Sequence, residues 1–269
     1  MELCLRWLLV VALACASLGV RSQIVGKVEK IQGSAMALLP NGTQQTLFVG
    51  QDLPVGTHIE TGPASEVHVM TEDGGYLALR PNTQLVLQKY LAKPDSTAGI
   101  ELGLIRGALR SITGWIGKLN PSGYKISTAT ATLGIRGTDH EVSVLGQGEG
   151  DDPAGTYDSV REGVTILRNR EGTSLELEAG QDGFVGEQAD AAPRRLARRP
   201  GFLLRRILQI EDRVEERRGA MAARVEAFIR DHPERAQKLR ERWDTLSPEQ
   251  KDKARETIRN QVQRRRQQQ

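Results

Sequence analysis

The residues of this chain that could do chemistry are few, and most stand alone. Its histidines, His58, His68, His140 and His232, are scattered singly. A metal-binding histidine needs a second ligand at a spacing such as HxH or HExxH, and no such pair occurs. Asp139 and His140 are adjacent, but neighbours on a strand point to opposite faces, so they make a poor catalytic dyad. A nucleophilic serine would need an elbow such as GxSxG, which is absent. Glu66, Glu101, Asp139 and Glu141 could furnish two carboxylates for a carbohydrate-active enzyme if they faced each other across a cleft. Alternation along a strand sorts only their faces. GQGEGDDPAGT, 146–156, sets Glu149, Asp151 and Asp152 among glycines. Clustered carboxylates suit calcium, yet this spacing matches no EF-hand loop, and a solvated surface loop is the simpler reading. No catalytic constellation, cofactor or metal site is expected.

TATLGIRGTD, 130–139, is the densest candidate. A phosphate-binding loop would run from glycines into a helix, with a lysine and a Ser or Thr behind. Here a strand-like HEVSVL follows, and no lysine is placed to reach a phosphate. The residues Thr132, Gly134, Arg136, Gly137, Thr138 and Asp139 therefore read as a structural signature turn. Arg136 and Asp139 are expected to pair across it, and the turn could shape a docking surface.

The elements that must position these residues are β-strands. SEVHVM (65–70) alternates, with Val67 and Val69 on one face and Glu66, His68 and Met70 on the other. YLALR and QLVLQ repeat the style across the turn PNT. From residue 24 to about 188 no segment has the length and 3.6-residue period of a good helix. The expected fold is mainly β: short strands with glycine turns, stacked as a solenoid or sandwich. Residues 189–201 read as a linker. Beyond it, Leu203, Leu204, Ile207, Ile210 and Val214 form an apolar stripe at helical spacing, and SPEQ (247–250) is a helix-start signal. Residues 202–269 are thus expected to form about three amphipathic helices.

Residues 1–23 place Arg6 before an apolar run that ends in small residues, the layout of a secretory signal peptide. Cleavage could follow Ala16 or Ser22. Lipidation at Cys15 is the alternative. Cys4 and Cys15 are the only cysteines of the sequence, so a processed chain would hold no disulfide. Charge is divided unevenly: residues 1–193 carry 15 basic and 22 acidic side chains, and 194–269 carry 22 and 12, a net +10 in the tail (22 − 12). Aliphatic residues, not base-stacking aromatics, interleave the tail arginines, and export separates the chain from DNA. Nucleic acid is therefore not an expected partner. An envelope protein or an anionic envelope component is.

Several motifs together resemble the extracytoplasmic domain of the FecR family of bacteria. They are VGTHIETGPASEVHVMTEDGGYLALRPNTQLVL (55–87), GLIRGALR (103–110) and ISTATATLGIRGTDHEVSV (126–144), with VREGVTIL and LELEAGQDGFV closing the domain. The resemblance implies a non-enzymatic periplasmic module. Founding members sense a loaded outer-membrane receptor and control a sigma factor, through a cytoplasmic domain and a transmembrane helix that this sequence does not show. The expected function is an exported binding or scaffold module whose basic helices meet an anionic envelope partner. The alternative is a periplasmic sensor or regulator in envelope or iron-uptake signalling that works through a separate membrane partner. RERWDTLSPEQKDKARETIR (240–259) also resembles a motif of small exported bacterial proteins.

Overall fold

The computed structural model describes residues 23–92, 98–188 and 190–206, with isolated positions 227, 230, 231, 233, 234 and 237. The expected signal peptide and the tail helices beyond residue 206 lie outside the described residues. Among the described residues, no helix is long and apolar enough to cross a membrane.

The chain runs through strands β1 (Ile24–Gln32), β2 (Ala35–Leu38), β3 (Gln44–Thr46), β4 (Asp52–Pro54), β5 (His58–Thr61), β6 (Glu66–Thr71), β7 (Tyr76–Leu79), β8 (Gln84–Leu91) and β9 (Gly99–Ile112). A short helix α1 (Trp115–Leu119) and a 3-10 turn (Pro121–Gly123) lead to β10 (Tyr124–Ser127), β11 (Ala131–Leu145), β12 (Gly155–Asn169), β13 (Ser174–Glu178), β14 (Asp182–Gly186) and β15 (Arg194–Arg195). Helix α2 (Gly201–Arg206) follows. The protein is mainly β, as the alternation predicts.

All the strands belong to one hydrogen-bonded sheet. Three of them, β9, β11 and β12, are 14 to 15 residues long. They are longer than the glycine-punctuated sequence suggests, because their glycines bend strands rather than end them. The first half of β9 pairs with β8 and β10, and its second half pairs with β7 and β11. Strand β11 shifts register between Arg136 and His140, and β12 passes from β14 to β13 around Gly163. Gly107, Gly137 and Gly163 sit at these three corners with φ of 84°, 60° and 78°. Glycine adopts such angles without the strain they impose on most other residues. Corners of this kind let one sheet fold over on itself into two wings packed face to face. One wing contains β4, β1, β6, β7, the end of β9, the end of β11, the start of β12 and β14. The other contains β2, β5, β8, the start of β9, β10, the start of β11, the end of β12 and β13.

The inner faces make one apolar cluster. Val67, Val69, Leu77, Leu79 and Leu109 come from the first wing, and Leu85, Leu87, Leu102, Ile126, Leu133 and Leu167 from the second. At the end of the sandwich, Asp73 is buried against α1. Its Oδ1 accepts from the Thr71 hydroxyl at 2.5 Å and its Oδ2 from the Ile116 amide at 3.3 Å. Burial holds this carboxyl above the ordinary aspartate range, although the hydrogen bonds pull it back.

Residues 189–201, expected as a linker, are pinned where they are described. Arg194 stacks over the Phe184 ring at 4.9 Å, and the Gly201 amide donates to Asp152 at 2.9 Å. The acidic loop 146–156 closes on itself through paired backbone bonds between Glu149 and Asp152. Among the described residues no group of three or more His, Cys, Asp or Glu is placed to hold a metal.

Candidate functional site

The motif residues meet on opposite sides of the molecule, and the corner at Gly137 divides them. Before the corner, Thr132, Gly134 and Arg136 point out from the second wing. After it, Asp139, Glu141 and Ser143 point out from the first wing, while His140 and Val142 point into the core. The expected turn is thus a bulge within β11, because hydrogen bonding to β12 resumes on both sides of Gly137. Thr138 ties the bulge to the end of β9: its amide donates to the Thr113 hydroxyl at 2.9 Å, and its carbonyl accepts from the Thr113 amide at 3.0 Å. A methyl group at Gly163 would collide with the Gly137 carbonyl, so the corners of β11 and β12 stack directly.

On the first wing, two arginines close over two acids. Arg110 grips Asp139 with both ends of its fork, Nε to Oδ1 at 2.9 Å and Nη2 to Oδ2 at 2.7 Å. Arg80 grips Glu141 likewise, at 2.9 and 2.6 Å. Arg80, the residue after β7, reaches β11 across β9, and the small Ala108 beside it leaves the passage open. All four charged side chains are at most 3% exposed. The expected pair of Arg136 with Asp139 is therefore replaced by Arg110 with Asp139, since the bulge turns Arg136 and Asp139 to different wings. Thr83 braces the same region from the PNT turn: its hydroxyl accepts from the Ala108 amide at 3.0 Å and donates to the Ala108 carbonyl at 3.1 Å.

Arg80 and Arg110 are the residues that motif reading missed. A signal was present. Each arginine follows apolar strand residues in a segment that must be buried, and a buried guanidinium demands a carboxylate. Matching the arginines of LALR and GALR to the acids of TDHE would have found both pairs.

The inward side of β11 carries a second polar chain. His140 Nδ1 lies 2.7 Å from Asp158 Oδ1, and the Thr165 hydroxyl donates to Asp158 Oδ2 at 2.5 Å. Ser111 stands opposite His140, but its hydroxyl is joined to the Tyr124 hydroxyl at 2.8 Å. Serine, histidine and aspartate are near one another here, yet all are sealed in the core without solvent access. Burial also pushes the Tyr124 hydroxyl above the ordinary tyrosine range. This arrangement can order a core, and no substrate reaches it. Of the other two acids considered for a catalytic pair, Glu66 is buried near His68, and Glu101 is bound to Lys89 at 3.2 Å on the outer surface of the second wing. The four do not face across a cleft.

That outer surface of the second wing is open. Gly134 has ordinary backbone angles, and a methyl group there would meet only the Ile166 side chain, at 3.9 Å. Neither conformation nor packing requires a glycine at this position. Lys125 and Ile166 flank Gly134 in register, and Thr132 pairs with Arg168. Ile166 is 39% exposed. Lys125, Arg136 and Arg168 are exposed, with no ion-pair partner among the described residues.

A family model described as FecR protein matches residues 57–163. The part of the chain that is similar to the FecR family thus runs from the start of β5 to the corner of β12. No curated protein matches. Two solved structures of a candidate anti-sigma factor from Parabacteroides distasonis ATCC 8503 are 15% and 16% identical, with TM-scores of 0.39 and 0.40. Each match covers 52% of this chain and 58% of that one, just over half the length of the relative. A third structure, described as a cell surface anchoring domain, is 22% identical at a TM-score of 0.22, covering 23% of this chain and 82% of the other.

Proposed function

We propose that this chain is an exported sensor or regulator module of bacterial envelope signalling, iron-uptake signalling included, that acts by docking a separate membrane partner. The organisation behind this reading is a signal segment at 1–23, a FecR-like domain over 24–188, a connection at 189–201 and a basic region over 202–269. Such a chain would work in the periplasm or outside the cell.

One observation carries the proposal: within the matched region, Gly134 and Arg136 stand on an open face that the fold itself does not require. A glycine without a structural duty allows a partner backbone to approach closely. Arg136, with Lys125 and Arg168 around it, offers forked and point-charge donors to carboxylates. The partner surface that fits is an extended acidic segment of a membrane protein. Exposed Ile166 gives it an apolar anchor beside the charges.

A genetic comparison tests this. Arg136→Glu, which lies on the surface and should leave the melting curve unchanged, is expected to reproduce the transcript changes caused by deleting the gene. If Arg136→Glu behaves as wild type while deletion alters expression, the docking face lies elsewhere. If deletion alters no envelope or uptake gene, the regulatory reading fails.

A further inference from the structure

The outer face of the first wing is dry. His68, Arg80, Arg110, Asp139 and Glu141 project away from the core, and each is at most 3% exposed. Met70, Tyr76 and Ala78 form a small apolar cluster among them, with Ile112 packed against it. The outward face of an antiparallel sheet ordinarily meets water. At one end, this face already carries the C-terminal part of the chain. The Phe202 ring stands edge-on to Tyr157 with centroids 5.0 Å apart, and Leu203 joins the same cluster with Leu145 and Phe184. Arg199 Nη2 donates to the Ser159 hydroxyl at 3.0 Å.

We propose that the segment following α2, residues 207–229, is the occupant of this face. Continuity supports it, since the chain leaves α2 while seated beside Tyr157. Length supports it as well. From β14 to β6 is five strand spacings, about 24 Å at about 4.8 Å each. A helix rising about 1.5 Å per residue crosses that in about 16 residues. The stripe of Leu203, Leu204, Ile207, Ile210 and Val214 supplies an apolar side to meet Met70, Ala78 and Ile112. Charge fits too: Glu211, Asp212, Glu215 and Glu216 are interspersed with Arg213, Arg217 and Arg218, facing a surface that carries both signs.

The apolar side of the tail is then used inside the molecule, and its remaining basic side is what an anionic envelope partner can reach. This inference does not depend on the docking role of the second wing.

Thiol labelling of the full mature chain tests it. No cysteine lies beyond residue 15, so Ala78→Cys creates a single thiol beneath the proposed cover. Glu176→Cys on the open wing is the exposed reference. With a charged reagent, Ala78→Cys should react about 100-fold slower than the reference, and adding Ile207→Asp and Ile210→Asp should raise its rate about 10-fold or more. The far-UV spectrum and the reference rate should stay unchanged. Fast labelling of Ala78→Cys in the parent chain, or protection indifferent to the two aspartates, would overturn the proposal. Protection that fades on dilution would assign the cover to a second copy instead. As a check independent of the aspartate variants, Ala78→Cys with Ile210→Cys should oxidise to an intramolecular disulfide, and a disulfide-linked dimer would count against the proposal.

Discussion

Asp139 and Arg110 show how a motif that looks chemical can be structural. Each is nearly free of solvent, and each satisfies the other through two hydrogen bonds. Removing one partner of such a pair leaves a buried charge uncompensated, at a typical cost of about 3–5 kcal/mol. Asp139→Ala should therefore lower stability by about that amount in denaturant titrations, with Glu141→Ala similar. Arg110→Lys should recover only part of the loss, because an ammonium cannot reproduce the fork. A change within about 0.5 kcal/mol for Asp139→Ala, the range of ordinary surface substitutions, would contradict the buried geometry.

Asp73 makes stability depend on pH. Its folded-state pKa is raised by burial, so the folded state binds this proton more tightly than the unfolded state. Its contribution is fully present below the ordinary aspartate value and is lost as pH rises through the raised one. The stability of wild type relative to Asp73→Asn should accordingly decline over that window, followed by melting at stepped pH. A flat difference would show that Asp73 does not titrate as its burial requires.

The strands explain which glycines matter. Gly163 combines φ of 78° with a backbone contact that leaves no room for a methyl group. Gly163→Ala should unfold or severely destabilise the domain. Gly134→Ala should leave the melting temperature within a degree or two, since only Ile166 is near, at 3.9 Å. Equal effects of the two substitutions would refute the corner assignment. Sequence pattern revealed these strands because Val67, Val69, Leu77 and Leu79 alternate cleanly with residues of the other face. It did not reveal that β9, β11 and β12 continue through their glycines. A glycine that ends a strand and one that bends it look alike in sequence, and the difference is set by the neighbouring strand, as at Gly137 beside Gly163. The same limit misassigned the partner of Asp139. The bulge reverses which side of the sheet the next residue faces, and local spacing carries no record of that reversal.

At the scale of the whole molecule, composition separated an acidic body from a basic tail, and the described chain meets that division at residues 194–203, where Arg194, Arg199, Phe202 and Leu203 fasten onto the β domain. What composition could not supply was the sidedness of the domain: one outer face closed by paired charges, the other open around Gly134, where Lys125, Arg136 and Arg168 stand with Glu101 and Glu176 at its flanks. Cross-strand register decides that, and it joins residues far apart in sequence, such as Lys125 with Gly134 and Thr132 with Arg168. The docking account rests on this sidedness. Its most direct test places a photo-crosslinking residue at Thr132 on the open wing, and at the exposed Gln44 on β3, beyond β8, β5 and β2 at the far side of the same wing, in the native envelope. The account predicts one membrane protein captured strongly from Thr132, weakly from Gln44, and lost from both when Arg136→Glu is added. Capture that persists undiminished in Arg136→Glu, or that is equally strong from both positions, would contradict a docking site centred on Gly134 and Arg136.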